Sequence, residues 1–256
     1  MKIIVGNWKM NPKTLGEAKK MLAEINDVAR PLTREKVKVV ICPPTLFLPS
    51  LAGFLYEDNL AIGAQNAASE NFAELTGGVS PYALADMGIR YVILGHSDLR
   101  RDGESNEEVG KKVFCALANG ITPIICFGEK TRDPDGAYKE EIKAQIRAAI
   151  RDCVGRPYAK KIIMAYEPVW AIGPTAIREA TPDDLREIIA LTRETLAENF
   201  GRLNAEEIPI LYGGSANAKN AHLYLGSGAD GLLVGRASRS AENFGAMLQV
   251  AETIGE

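Results

Sequence analysis

The sequence predicts a closed parallel (β/α)8 barrel, and three observations predict it. Short apolar runs rich in β-branched residues alternate with longer stretches of helical spacing, and the alternation repeats eight times. The strand-like runs are apolar at nearly every position rather than at every second one, as strands buried on both faces are. No linker, low-complexity tract or composition shift divides the 256 residues. Residues 1–256 therefore read as one domain, of a length such barrels commonly have. An open doubly wound sheet also fits the alternation, but eight even units favour closure.

The elements follow in order. KIIVGN (2–7) reads as the first strand, and Leu15 to Ala29 carries apolar residues at helical spacing until Pro31 stops it. VKVVIC (37–42) is the second strand, with helical character in the PTLFLPSLAGFL that follows. LAIGAQN (60–66) is the third, and a Gly-rich stretch leads through PYALADMG to YVILG (91–95), the fourth. A helix runs from about Asn106 to Asn119, and ITPIICFG (121–128) is the fifth strand. Ala137 to Cys153 is a helix rich in i,i+4 charges, and KIIMAYE (161–167) is the sixth strand. Thr181 caps the next helix, with Pro182 at its first position and Asp183 and Asp184 in its first turn. IPILYG (208–213) and ADGLLVG (229–235) are the last strands, separated by a short helix to Leu225, and a helix from about Ala241 closes the chain.

Composition narrows the function. Hydrophobic residues make up 46%, enough for a sizeable core, and the net charge is -3. That balance speaks against a broad footprint for nucleic acid or an anionic membrane, while leaving room for a local anion site. Cys42, Cys115, Cys126 and Cys153 form no C-x-x-C pair and read as reduced thiols. Two histidines are too few for a multi-histidine metal site. The N-terminal apolar run, Ile3 to Val5, is too short for a signal peptide or membrane span. The expectation is a cytoplasmic protein with no metal and no cofactor.

In a parallel barrel, function sits at the C-terminal strand ends. Those ends offer Asn7-Trp8-Lys9, Gly95-His96-Ser97, Glu167-Pro168, Gly213-Gly214-Ser215 and Gly235-Arg236. A base, a hydrogen-bond donor, a cation and two Gly-containing turns thus share one mouth. Gly turns can present backbone N–H groups to a phosphate, helped by the start of a short helix. The set suits proton abstraction beside a carbonyl in a phosphorylated substrate. No dinucleotide fingerprint or P-loop supports redox or nucleotide chemistry.

Each residue has a plainer reading. A lone Glu or Lys is ordinarily a solvated surface residue, and a lone His a structural hydrogen-bonder. Trp8 and Trp170 read as packing residues, Cys126 as a buried core thiol, and Gly213-Gly214 as a possible bare turn. Asp183, Asp184, Arg186 and Glu187 read as a solvated helix face. Convergence on the functional end of the barrel is what separates Glu167, His96 and Lys9 from those defaults.

The segments GNWKMN (6–11), GHSD (95–98), PIICFGE (123–129), AYEPVWAIG (165–173), YGGS (212–215) and DGLLVG (230–235) resemble the triosephosphate isomerase family, in order and from Gly6 to about Ser238. The resemblance implies Glu167 as the base between two substrate carbons and His96 as the imidazole that polarises the carbonyl. It implies Lys9 as the cation at the enediolate, with Asn7 beside it. Gly173, Ser215, Gly235 and the position of Arg236 match backbone donors to the phosphate, and residues 168 to about 180 match a lid that excludes water. A homodimer is implied, with the loop around 66–79 reaching into the neighbour.

The departures are specific. Asp98 stands where the family has Glu, so its pair with Lys9 is expected to shift or use water. Leu99 and Gly78 stand where the family has an Arg and a Glu that pair across the subunit boundary, a joint loss that implies a modified interface. PTAIREA (174–180) makes the lid about two residues longer, and Pro174 removes one N–H donor there. Arg236 replaces a glycine, so its side chain either adds charge at the phosphate or narrows the pocket. The leading expectation is interconversion of glyceraldehyde 3-phosphate and dihydroxyacetone phosphate. The alternatives are a paralogue acting on a tetrulose phosphate and an inactive phosphate-binding homologue.

Overall fold

The computed structural model describes residues 1–53, 60–72, 74–157, 161–173 and 176–255. Its strands are β1 (Lys2–Asn7), β2 (Val37–Cys42), β3 (Leu60–Ala64), β4 (Tyr91–Leu94), β5 (Thr122–Phe127), β6 (Ile163–Tyr166), β7 (Ile210–Tyr212) and β8 (Gly231–Val234). Each pairs in parallel with the next, and β8 returns to β1 through Ile3–Gly231 to Gly6–Val234, closing the barrel. Closure requires a bare backbone at the seam. A Cβ on Gly231 would sit 1.8 Å from the Ile3 carbonyl oxygen.

The helices are α1 (Leu15–Ala29), α2 (Leu48–Ala52), α3 (Pro81–Asp86), α4 (Ser97–Arg101), α5 (Asn106–Ala118), α6 (Tyr138–Ile150), α7 (Pro182–Phe200), α8 (Arg202–Glu207), α9 (Ala221–Leu225) and α10 (Ala241–Ile254). Their starts are set by side-chain caps. Thr14, Ser80, Ser105 and Ser240 each accept a backbone N–H of the first turn. Thr181 and Asp184 form a reciprocal capping box at α7. On α1 the buried face is Ala18, Leu22, Ile25 and Ala29, the spacing that lays one side of a helix on the sheet.

Alternate strand positions feed two apolar layers. Ile3, Val5, Val40, Ile93, Ile124, Ile163, Leu211 and Leu233 belong to a cluster without helical members, which fills the barrel interior. Ile4, Val39, Ile41, Val92, Ile125, Met164, Ile210 and Leu232 pack with the inward helix faces in the surrounding layer.

Strands β3 and β6 are shorter than the apolar runs suggest. Gln65 and Asn66 lie past β3, and Glu167 lies just past β6. The helix expected to reach Cys153 turns 3-10 over Arg151–Cys153. The sequence reading has no counterpart to α4, which is five residues long with no buried member and so carries no apolar periodicity. Residues 54 and 55 of the segment read as helical lie outside the described residues.

Candidate functional site

The C-terminal strand ends open into a cleft of about 840 Å³ that gathers Asn7, Lys9, His96, Glu167, Gly173, Ser215, Gly235 and Arg236. The eight residues expected to act on or hold substrate therefore line one space.

Glu167 is fixed through its backbone. Its N–H donates to the Phe127 carbonyl at 2.8 Å. Gly128 lies so close that a Cβ there would be 1.8 Å from the Glu167 carbonyl oxygen. The residue is only 4% exposed. Its carboxylate accepts the backbone N–H of Ser97 at 2.9 Å and stands 3.1 Å from His96 Nε2. Burial, together with the Glu167 charge, pushes the Cys126 thiol well above its usual range. Cys126 is thus a buried thiol, as read, but one within reach of the site's charge.

His96 caps α4. Its Nδ1 accepts the Asp98 backbone N–H at 3.0 Å. An accepting nitrogen carries no proton, so the proton of this tautomer sits on Nε2, the atom that faces Glu167.

Lys9 has φ 52, in the left-handed region. Two side chains hold it: Asn7 Oδ1 accepts its N–H at 3.0 Å, and Gln65 Nε2 donates to its carbonyl at 2.8 Å. Gln65 also donates to the Cys42 carbonyl at 2.9 Å, tying the ends of β1 and β2 together. From this backbone the ammonium reaches Asp98 Oδ2 at 2.9 Å. The pair expected to shift or use water closes directly, because α4 brings the shorter carboxylate to the lysine. Burial raises the Asp98 carboxyl, but the Lys9 hydrogen bond and charge outweigh it and hold it below the ordinary range.

In the same cleft, the backbone N–H groups of Gly173, Ser215, Gly235 and Arg236 donate to no protein group among the described residues. Free N–H groups facing one cleft are what an anion requires. The Arg236 guanidinium likewise has no hydrogen bond or ion pair among the described residues. Pro174 lies outside the described residues. Among the described residues no group of three or more His, Cys, Asp or Glu is arranged to hold a metal ion, and no helix is long and apolar enough to cross a membrane.

One expectation is corrected. Asp183 and Arg186 are solvated, but the Asp184 side chain is 12% exposed and that of Glu187 38%. Arg132 pairs with both, Arg178 pairs with Asp184, and Glu187 accepts from the Tyr138 hydroxyl at 2.7 Å and pairs with Lys139 at 2.8 Å. Arg132 comes from the segment after β5, Lys139 from α6, and Arg178 from the loop just before α7, so spacing along α7 does not announce them. Trp8 is fully buried, as a packing residue is. Trp170 is buried too, but its indole N–H also donates to Glu129 Oε1 at 2.7 Å, where the Tyr166 hydroxyl donates at 2.8 Å.

Sequence reasoning named Ser97 at a strand end without giving it a role, and missed Gln65 and Arg100. Gln65 directly follows β3, a signal that the strand-end rule could have used. Arg100 donates to the Gly95 carbonyl at 2.7 Å and the Cys126 carbonyl at 3.3 Å, bracing the ends of β4 and β5. Nothing local marks it.

A family model described as triosephosphate isomerase matches residues 2–251. The chain is 40% identical over 246 residues to the triosephosphate isomerase of Caldanaerobacter subterraneus subsp. tengcongensis, covering 94% of this chain and 96% of that protein. It is 39% identical over 251 residues to the triosephosphate isomerase of Streptococcus suis, covering 96% and 97%.

Proposed function

The chain belongs to the triosephosphate isomerase family, and on that premise we propose that it interconverts D-glyceraldehyde 3-phosphate and dihydroxyacetone phosphate through an enediolate. The observation that carries the proposal is the buried Glu167 carboxylate, 3.1 Å from His96 Nε2 and in one cleft with the free N–H groups. A phosphate held by the N–H groups of Gly173, Ser215, Gly235 and Arg236 directs the three-carbon chain toward Glu167.

The chemistry follows from the donors present. Glu167 exchanges the Ser97 N–H for a substrate C–H and removes the proton beside the carbonyl. The electron pair moves onto the carbonyl oxygen, where His96 Nε2–H donates and the Lys9 ammonium offsets the developing charge. His96 gives its Nε2 proton to that oxygen and takes up the proton of the neighbouring hydroxyl, and Glu167 returns its own proton to the neighbouring carbon, so atoms balance with no external acid, oxidant or cofactor. Asn7 holds Lys9 in place. The lid over 168 to about 180 excludes water from the intermediate. The relatives carry the name of the triose reaction, and the tetrulose phosphate reading draws no support from them.

We also propose a cytoplasmic homodimer. Met10, Leu46, Phe72 and Leu75 are 91%, 85%, 78% and 61% exposed and follow three consecutive strands. Exposed large apolar side chains on loops after adjacent strands are of the kind a second copy covers. The absence of the Arg–Glu pair at Leu99 and Gly78 makes this interface more apolar than the family pattern implies. Equilibrium sedimentation tests it; a fully active monomer contradicts it.

Steady-state conversion of glyceraldehyde 3-phosphate, coupled to reduction of the dihydroxyacetone phosphate formed, tests the reaction. Fast turnover supports it. Binding of an enediolate mimic without turnover makes the protein a binder instead.

A further inference from the structure

The lid is about two residues longer than the family pattern, and its extra stretch contains Arg178. Arg178 joins the two ends of the loop. Its guanidinium makes a two-pronged contact with Asp184, Nη1 to Oδ2 at 2.5 Å and Nη2 to Oδ1 at 3.1 Å. The same group lies over the Trp170 ring, 4.5 Å from its centroid, and Nη1 donates to the Glu179 carbonyl at 2.9 Å. Trp170 belongs to the 3-10 turn Val169–Ala171 at the start of the lid, and Asp184 to the first turn of α7 just after it.

Both anchors are themselves held. Trp170 is 5% exposed, donates its indole N–H to Glu129, and accepts the Ile177 N–H on its carbonyl at 2.9 Å. Asp184 accepts the N–H and hydroxyl of Thr181 at 2.8 and 2.9 Å and faces Arg132 at 3.5 Å. The planar guanidinium is suited to both contacts at once, forking onto a carboxylate while stacking on an indole.

Resting on the isomerase reading, we propose that Arg178 is a positioning residue that pins the C-terminal part of the lid to both hinge ends. The stretch of added length that carries Arg178 is then held against Trp170 and Asp184. Arg178 touches neither Glu167 nor His96 and acts through where it holds the lid.

The test compares wild type with Arg178→Met and Arg178→Lys in the full-length enzyme. Methionine removes the charge and the fork; lysine keeps the charge toward Asp184 and loses the fork. Three readouts are needed: thermal unfolding, kcat and KM for glyceraldehyde 3-phosphate, and inorganic phosphate released per isomerisation. The last reports lid failure directly. In an uncovered enediolate the electron pair moves to form a new C=C bond and the C–O bond to phosphate breaks, so phosphate leaves with the bonding pair. Arg178→Met is expected to lose roughly ten- to hundredfold in kcat/KM, the scale of imperfect positioning, and to release more phosphate per turnover. Arg178→Lys recovers part of both. A variant that loses only thermal stability, with kinetics and phosphate release unchanged, overturns the proposal and makes Arg178 a cap of α7. Wild type without isomerase activity overturns the functional reading instead.

Discussion

The carboxylate of Glu167 accepts the backbone N–H of Ser97 at 2.9 Å, across 70 positions of sequence. Ser97 opens α4 directly after His96, so one short segment carries both the N–H donor to Glu167 and the imidazole beside it. The hydrogen bond holds the carboxylate at a defined point of the cleft, and in the proposed reaction substrate replaces that N–H with a C–H.

Lys9 and Asp98 form a half-exposed pair, with side chains 44% and 43% accessible. Such a pair contributes little to stability, about 0–1 kcal/mol. Its importance lies in placing the ammonium. Lys9→Met is expected to reduce kcat/KM about 10²–10³-fold with a nearly unchanged unfolding temperature. Equal losses of activity and stability would show that Lys9 is structural.

Gln65 holds the Lys9 carbonyl and with it a left-handed non-glycine backbone, a conformation that costs about 1–3 kcal/mol. Gln65→Ala frees that segment. Its kcat/KM should fall by roughly tenfold or more, with Lys9→Met adding less on top of it than alone. Additive losses in the double variant would mean that Gln65 and Lys9 act separately.

Gly128 leaves no room for a side chain, since a Cβ would meet the Glu167 carbonyl oxygen at 1.8 Å. Its N–H and carbonyl are both taken by the Gln145 amide, at 2.9 and 3.0 Å, so it has nowhere to move. Gly128→Ala should destabilise the fold by about 1–3 kcal/mol or more and displace Glu167, lowering kcat as well. Chemical denaturation with parallel kinetics checks both. A stable, fully active variant would contradict the packing.

Burial works against the charge of the Asp184 carboxyl, but hydrogen bonds from Arg178 and Thr181 and the charge of Arg132 hold it far below its ordinary value of 3.8. A depressed carboxyl stabilises the fold above the unfolded value and loses that contribution as pH falls through the folded one. The gap in unfolding temperature between wild type and Asp184→Asn should therefore be full at neutral pH and narrow below about pH 4. A gap that stays constant into acid would show that only the helix cap, and not the charge, matters.

The barrel was legible because its strands are buried on both faces and so read as unbroken apolar runs, and because each run stops at a chemically conspicuous residue. That is why Asn7, Lys9, His96 and Glu167 could be gathered before any coordinates. What stayed hidden depends on distance in space. Arg132 and Arg178 recruit Asp184 and Glu187 from a helix face that spacing alone marks as solvated. Gln65 sits one residue past β3, yet its amide spans to β1 and β2, a contact that strand closure creates and local sequence does not encode. The Lys9–Asp98 pair depends likewise on where α4 starts, and α4 has no periodicity to reveal it.

The most direct test of the central claim, that Glu167 carries a proton between adjacent substrate carbons, is isomerisation of glyceraldehyde 3-phosphate in D₂O, comparing wild type with Glu167→Gln. Wild type should turn over rapidly and place deuterium on the carbon that receives the proton. The variant, folded as judged by circular dichroism and unfolding temperature, should lose at least about 10²–10⁴-fold in kcat, the usual contribution of a general base, together with the deuterium incorporation. A folded Glu167→Gln protein that keeps most of the turnover and labels product as wild type does would contradict it.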